Sequence, residues 1–147
     1  MDVKNVITRL KTNLSELQEQ RKTEALRIAL DATALLKLRI QTSGQNADGG
    51  SFPPYVPSYA RRRRKNGLQT GYVDFTDRGR LWANVQPRVE LDEQNRTLVV
   101  IGARDSENNA KLLGAVKKRG NILRLSQDEI DLVADANRER LAKVFDI

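Results

Sequence analysis

The sequence predicts an α+β fold on three grounds. Forty opening residues lack Gly and Pro and carry apolar side chains at helical spacing, a central stretch holds short β-branched and aromatic runs, and two closing segments carry helix-cap signals. The expected arrangement is one long N-terminal helix, a small antiparallel β-sheet with a hairpin, and two shorter C-terminal helices covering one sheet face. At 147 residues the chain fits a single domain spanning 1–147, and a chain of this length buries roughly two thirds of its unfolded surface in one core.

In the first segment, 1–40, Val3, Ile7, Leu10, Leu14 and Leu17 recur at spacings of three and four, the stripe of an amphipathic helix. Its second half, from Ala25 to Ile40, is richer, with Leu26, Leu30, Leu35, Leu36 and Leu38 leaving little polar surface, so that half is expected in the core. Segment 41–71 breaks the pattern with Ser, Gly, Asn and three prolines and reads as a long extended connection. Loops of this length are usually functional or disordered. Phe52, Tyr55 and Tyr59 give this one more aromatic content than a disordered linker, which points to docking.

Segment 72–147 holds the sheet and the closing helices. Gly71 to Phe75 reads as a short strand, Leu81 to Leu91 as a longer one, and Arg96 to Ala103 as a third, the last two forming a hairpin around Asp92-Glu93-Gln94-Asn95. Pro87 requires an edge or a bulge in the middle strand. Asp105 or Ser106 can cap a helix reaching about Lys118, with Gly120 beyond it. Ser126-x-x-Glu129 is a capping box for a last helix from Gln127 to about Phe145, with Ile130, Val133, Ala134, Asn137, Leu141 and Val144 as its inner face.

Composition removes most catalytic designs. With no cysteine and no histidine, disulfides, thiolate nucleophiles, structural zinc sites and imidazole acid-base chemistry are excluded. Gly44 to Ser51 departs from a phosphate-binding loop at the lysine position, where glycine stands. Asp128, Asp131 and Asp135 share one side of the last helix and could hold a hard cation. Their place in its first turns is explained more simply by the helix dipole. Asp74 and Asp77 could pair as acid and base, but nothing in the sequence supplies a pocket or a third group. No enzyme activity, metal or cofactor is expected. No apolar run is long enough to cross a bilayer, and the first residues lack a signal peptide's apolar core, so the protein is expected in the cytoplasm when made.

The net charge of +7 is unevenly placed: residues 1–40 hold eight basic and five acidic side chains, 41–70 five and one, and 71–147 thirteen of each. The central excess is one run, Arg61-Arg62-Arg63-Arg64-Lys65, expected to be largely solvent-facing, either as a merely solvated loop or against a partner of opposite charge. Phosphates of a nucleic acid and an acidic protein surface both fit. Tyr55 and Tyr59 could stack on exposed bases or pin the loop to the core. The candidate contact set is therefore Tyr55, Tyr59, Arg61, Arg62, Arg63, Arg64 and Lys65.

Three motifs, in order, resemble phage head-tail connector proteins, the group also called neck, tail-completion or virion-morphogenesis proteins. They are Phe52-Pro53-Pro54-Tyr55 with Tyr59 and the basic run, Val73-Asp74-Phe75-Thr76-x-x-Gly79-x-Leu81, and Arg119-Gly120-Asn121-Ile122-Leu123 ahead of Ser126-Gln127-Asp128-Glu129. The resemblance covers roughly residues 52–130. It implies a non-enzymatic virion protein, made in the host cytoplasm, that forms a homo-oligomeric ring between portal or adaptor and tail proteins around genomic DNA, with no membrane partner. The alternative is a basic nucleic-acid-binding accessory protein.

Overall fold

The computed structural model describes the backbone of residues 3–145 and, within that span, the side chains of 18–140. The elements are α1 (Val3–Ser43), α2 (Pro57–Lys65), α3 (Arg80–Asn84), β1 (Val85–Leu91), β2 (Thr97–Ala103), α4 (Ser106–Arg119) and α5 (Gln127–Phe145). The fold is α+β: a long N-terminal helix, a two-stranded antiparallel sheet and shorter C-terminal helices. β1 and β2 flank the expected Asp92–Asn95 turn, with Val85 opposite Ala103 and Leu91 opposite Thr97.

α1 extends a turn further than the sequence predicts. It stops at Gly44, whose φ of 64° lies in the left-handed region and whose N–H donates to Ile40 O at 2.9 Å. A side chain there would also meet Tyr72, since a Cβ would lie 2.6 Å from the Tyr72 Cβ. Ala29, Ala32, Thr33, Leu36 and Ile40, at helical spacing, are the buried face of α1, whereas Leu26, Leu30 and Leu38 are exposed. The core gathers Leu36 and Ile40 with Phe52, Val73, Trp82, Val85, Ala103, Leu112 and Ile122, so every segment from α1 onward except α2 and α5 contributes to it. α5 lies antiparallel on α1: Glu129 meets Arg39, and eleven residues on Arg140 meets Asp31. The stripe Val3, Ile7, Leu10, Leu14 and Leu17, and Leu141 and Val144 of α5, lie outside the described side chains.

Four further expectations are corrected. The connection 41–71 is not extended throughout, because α2 occupies Pro57–Lys65. Gly71 to Phe75 buries Val73 and Asp74 but is unpaired: the N–H groups of Tyr72, Asp74 and Thr76 donate to Gln69 Oε1, Tyr55 Oη and Asp74 Oδ1 instead of to a neighbouring strand. The strand expected from Leu81 begins only at Val85, because Arg80–Asn84 coil into α3 and turn Trp82 into the core, where its indole N–H donates to Asp74 O at 2.8 Å. On α5, Val133 is buried as expected, but Ile130 and Ala134 are exposed.

The closing helices follow their cap signals. Asp105 Oδ1 accepts the Asn108 N–H at the start of α4, and Gly120 ends it. At α5 the capping box is reciprocal: Ser126 Oγ accepts the Glu129 N–H while Glu129 Oε2 accepts the Ser126 N–H. In the hairpin turn Asn95 takes φ 58°, and Asp92 accepts the Arg96 and Gln94 N–H groups. Those backbone donors, Arg96 first, hold the Asp92 carboxyl below its ordinary pKa.

Candidate partner interface

α2 forms because Pro57 sets the first turn and no Gly or Pro interrupts the next eight residues. It closes in a Schellman motif, with the Leu68 N–H on Arg63 O and the Gly67 N–H on Arg64 O, both at 3.0 Å. The cations of its last turn sit where the helix dipole favours positive charge.

Helical phase then divides the basic run. Arg61, Arg62, Arg64 and Lys65 are exposed, as the sequence predicts, but Arg63 is only 2% exposed. Its Nη2 pairs with both oxygens of Asp74, at 3.1 and 3.3 Å, its Nε donates to Gln69 O at 3.0 Å, and its Nη1 donates to Thr76 O. The run is thus largely solvent-facing, with Arg63 the one member turned inward. Every nitrogen of that guanidinium is bound within the chain, and burial keeps it from a partner.

Asp74 collects the surrounding loop. Besides Arg63 it accepts from Tyr55 Oη at 2.8 Å, from Gln69 Nε2 at 2.7 Å and from the Thr76 N–H two residues on. Burial, and next the hydrogen bond to Asp74, push the Tyr55 phenol up to about 12. Arg63 also lies 4.5 Å from the Tyr55 ring centroid. Of the two readings of Tyr55, the structure supports the one in which it pins the loop. Tyr59 is half-buried between Tyr55 and Arg62, whose guanidinium lies 4.9 Å from the Tyr59 ring. Phe75 accepts a left-handed φ of 54° to place its ring edge-on to Phe52 at 5.1 Å and Trp82 at 6.4 Å.

A second buried pair escaped the sequence reading. Arg39 of α1 binds Glu129 through Nε at 2.6 Å and Nη2 at 3.2 Å, and donates as well to Gln45 O and Arg124 O. Glu129 thus caps its own helix and fastens it to α1. The capping-box spacing was a signal for the first role; nothing in the sequence pointed to Arg39.

Beside α2 lies an open cleft of about 760 Å³ between α2, the loop that follows Phe75, and α4. Tyr55, Val56, Phe75, Leu81 and Ala115 supply its apolar lining, and Arg78, Arg80, Lys118 and Arg119 its basic one. Its two carboxylates are answered locally, Glu107 by Lys111 at 2.6 Å and Asp77 by Arg62 at 3.9 Å. Asp74 and Asp77 do not form an acid-base pair, since Asp74 is committed to Arg63. Asp128, Asp131 and Asp135 are exposed on α5, and among the described residues no group of three Asp or Glu side chains is placed to hold a metal ion. No described helix is long and apolar enough to cross a membrane. Compared with protein-family models, with curated proteins and with solved structures, the chain matches none.

Proposed function

We propose that this chain is a non-enzymatic structural protein of a tailed-bacteriophage virion, a subunit of the head-tail connector that forms a neck or tail-completion ring around the DNA channel. Portal or adaptor proteins and tail proteins are its neighbours, and the host cytoplasm is where it is made. The order of the three motifs over residues 52–130 supports the reading from the sequence side.

The structural observation that carries it is apolar surface left uncovered on separate faces. Leu26, Leu30 and Leu38 stand exposed on α1, and Leu132 stands 59% exposed on α5. Along the hairpin, burial fades from Val85 and Ala103 at the base, through Pro87 and Ile101, to exposed Leu91, Leu98 and Val99 toward the turn. Both strands keep a free edge among the described residues, and a two-stranded hairpin is marginal without further packing. A ring subunit needs such surfaces, because one face of each copy meets a different face of the next while others meet the rings above and below.

Four exposed cations on α2 favour one second reading, a nucleic-acid-binding accessory protein. Electron-microscope images of the purified protein separate the two. Closed rings support the connector. A monomer that binds duplex DNA and releases it steeply with salt supports the rival, since each phosphate contact displaces counterions.

A further inference from the structure

We infer that the cleft beside α2 and α4 is the lateral contact of the ring, and that its occupant is the acidic outer stripe of α5 from a second copy of the chain. The inference rests on the ring reading above and adds which surfaces meet.

The cleft is basic in net effect. Arg78, Arg80 and Lys118 form no ion pair among the described residues, while both cleft carboxylates already have cationic partners. Along α4 the cleft is lined by Glu107, Lys111, Gly114, Ala115 and Lys118, one face of the helix at spacings of three and four. That face spans about 16 Å at 1.5 Å per residue.

Gly114 lies at its centre, inside a helix, where glycine is disfavoured relative to alanine. A Cβ built there meets nothing within 4 Å, so no contact within the chain explains the glycine. Together with Ala115 it leaves a shallow, small-residue floor that lets another helix approach closely.

On α5 the stripe turned away from α1 carries Asp128, Asp131, Leu132, Asp135 and Glu139, all exposed. It spans the same eleven-residue length as the α4 face, hence about 16 Å. Only Asp135 has an ion-pair partner among the described residues, Arg138 at 2.9 Å. Leu132 stands amid the carboxylates, an apolar group of the size that Val56, Phe75 and Leu81 can enclose. The two surfaces are different patches on one subunit, so their pairing is head-to-tail and can close a ring.

The test is the assembly mass of the full-length protein by light scattering at low salt, with helicity followed by circular dichroism. Arg78→Glu with Arg80→Glu, and separately Asp131→Lys with Asp135→Lys, are expected to raise the concentration needed for assembly at least tenfold, and the four changes together to recover most of it. Gly114→Ala is expected to raise the melting temperature of the subunit and still weaken assembly. Reversal pairs that assemble like the unmodified protein would leave the ring standing and overturn this contact, as would weakening by each pair without recovery in the combination. An unmodified protein that never assembles fails one step earlier, at the ring reading itself.

Discussion

Arg63 differs from Arg62 and Arg64 only in helical phase, and phase decides whether an arginine is a surface charge or the centre of a loop. Removing one partner of a buried, fully bonded ion pair leaves the other charge stranded, so Arg63→Ala or Asp74→Ala should each destabilise by about 3–5 kcal/mol in urea titrations. Arg64→Ala, on the exposed side, should stay within about 0.5 kcal/mol. Lysine cannot replace Arg63, because its single nitrogen cannot reach Asp74, Gln69 O and Thr76 O in their separate directions. Tyr55 adds a pH signature. Its folded-state pKa of about 12 lies above the ordinary 10.0, so its contribution to stability is complete below pH 10 and is lost as pH rises toward 12. Phenolate absorbance should show one tyrosine titrating late, and Tyr55→Phe should abolish that late phase. The sequence named Arg63 as a contact residue because a run of like residues carries no mark of which member turns inward, and Tyr55 because its ring could equally stack on bases or pin the loop. Tyr59, Ala60 and Arg63 do share helical spacing, and Asn66-Gly67 is a stop signal; the prolines before them had suggested a loop.

At the scale of elements, signals carried by local chemistry were legible and those carried by distant contacts were not. The caps of α4 and α5 and the hairpin turn follow from side chains bonding backbone groups a few residues away, which the sequence spells out. Gly71 to Phe75 alternates like a strand but finds no partner strand, and Arg80–Asn84 coils because Trp82 must reach Asp74 O; both outcomes depend on residues outside the segment. The double role of Glu129 shows the same divide. Ser126→Ala removes a cap alone and should cost about 1 kcal/mol, whereas Glu129→Ala also strands Arg39 and should cost about 3–5 kcal/mol. Equal losses in thermal melts of the two variants would mean that Arg39 contributes nothing. Gly114→Ala should stabilise the isolated subunit by up to about 1 kcal/mol.

For the whole molecule, the α+β arrangement was readable because the period of the apolar residues changes from helical to alternating and back. Which apolar residues would stay uncovered was not. Leu26, Leu30 and Leu38 look like core in sequence, yet all three stand exposed beside the buried face of α1. On the proposed ring, those uncovered faces, the basic cleft and the acidic stripe of matching length are the surfaces that neighbours cover. The most direct test is the mass of the purified protein by light scattering, at low and high salt, with and without duplex DNA. A connector subunit should give a closed multiple of the subunit mass that free DNA leaves unchanged; a monomer at every concentration that joins duplex DNA and leaves it as salt rises would contradict the ring.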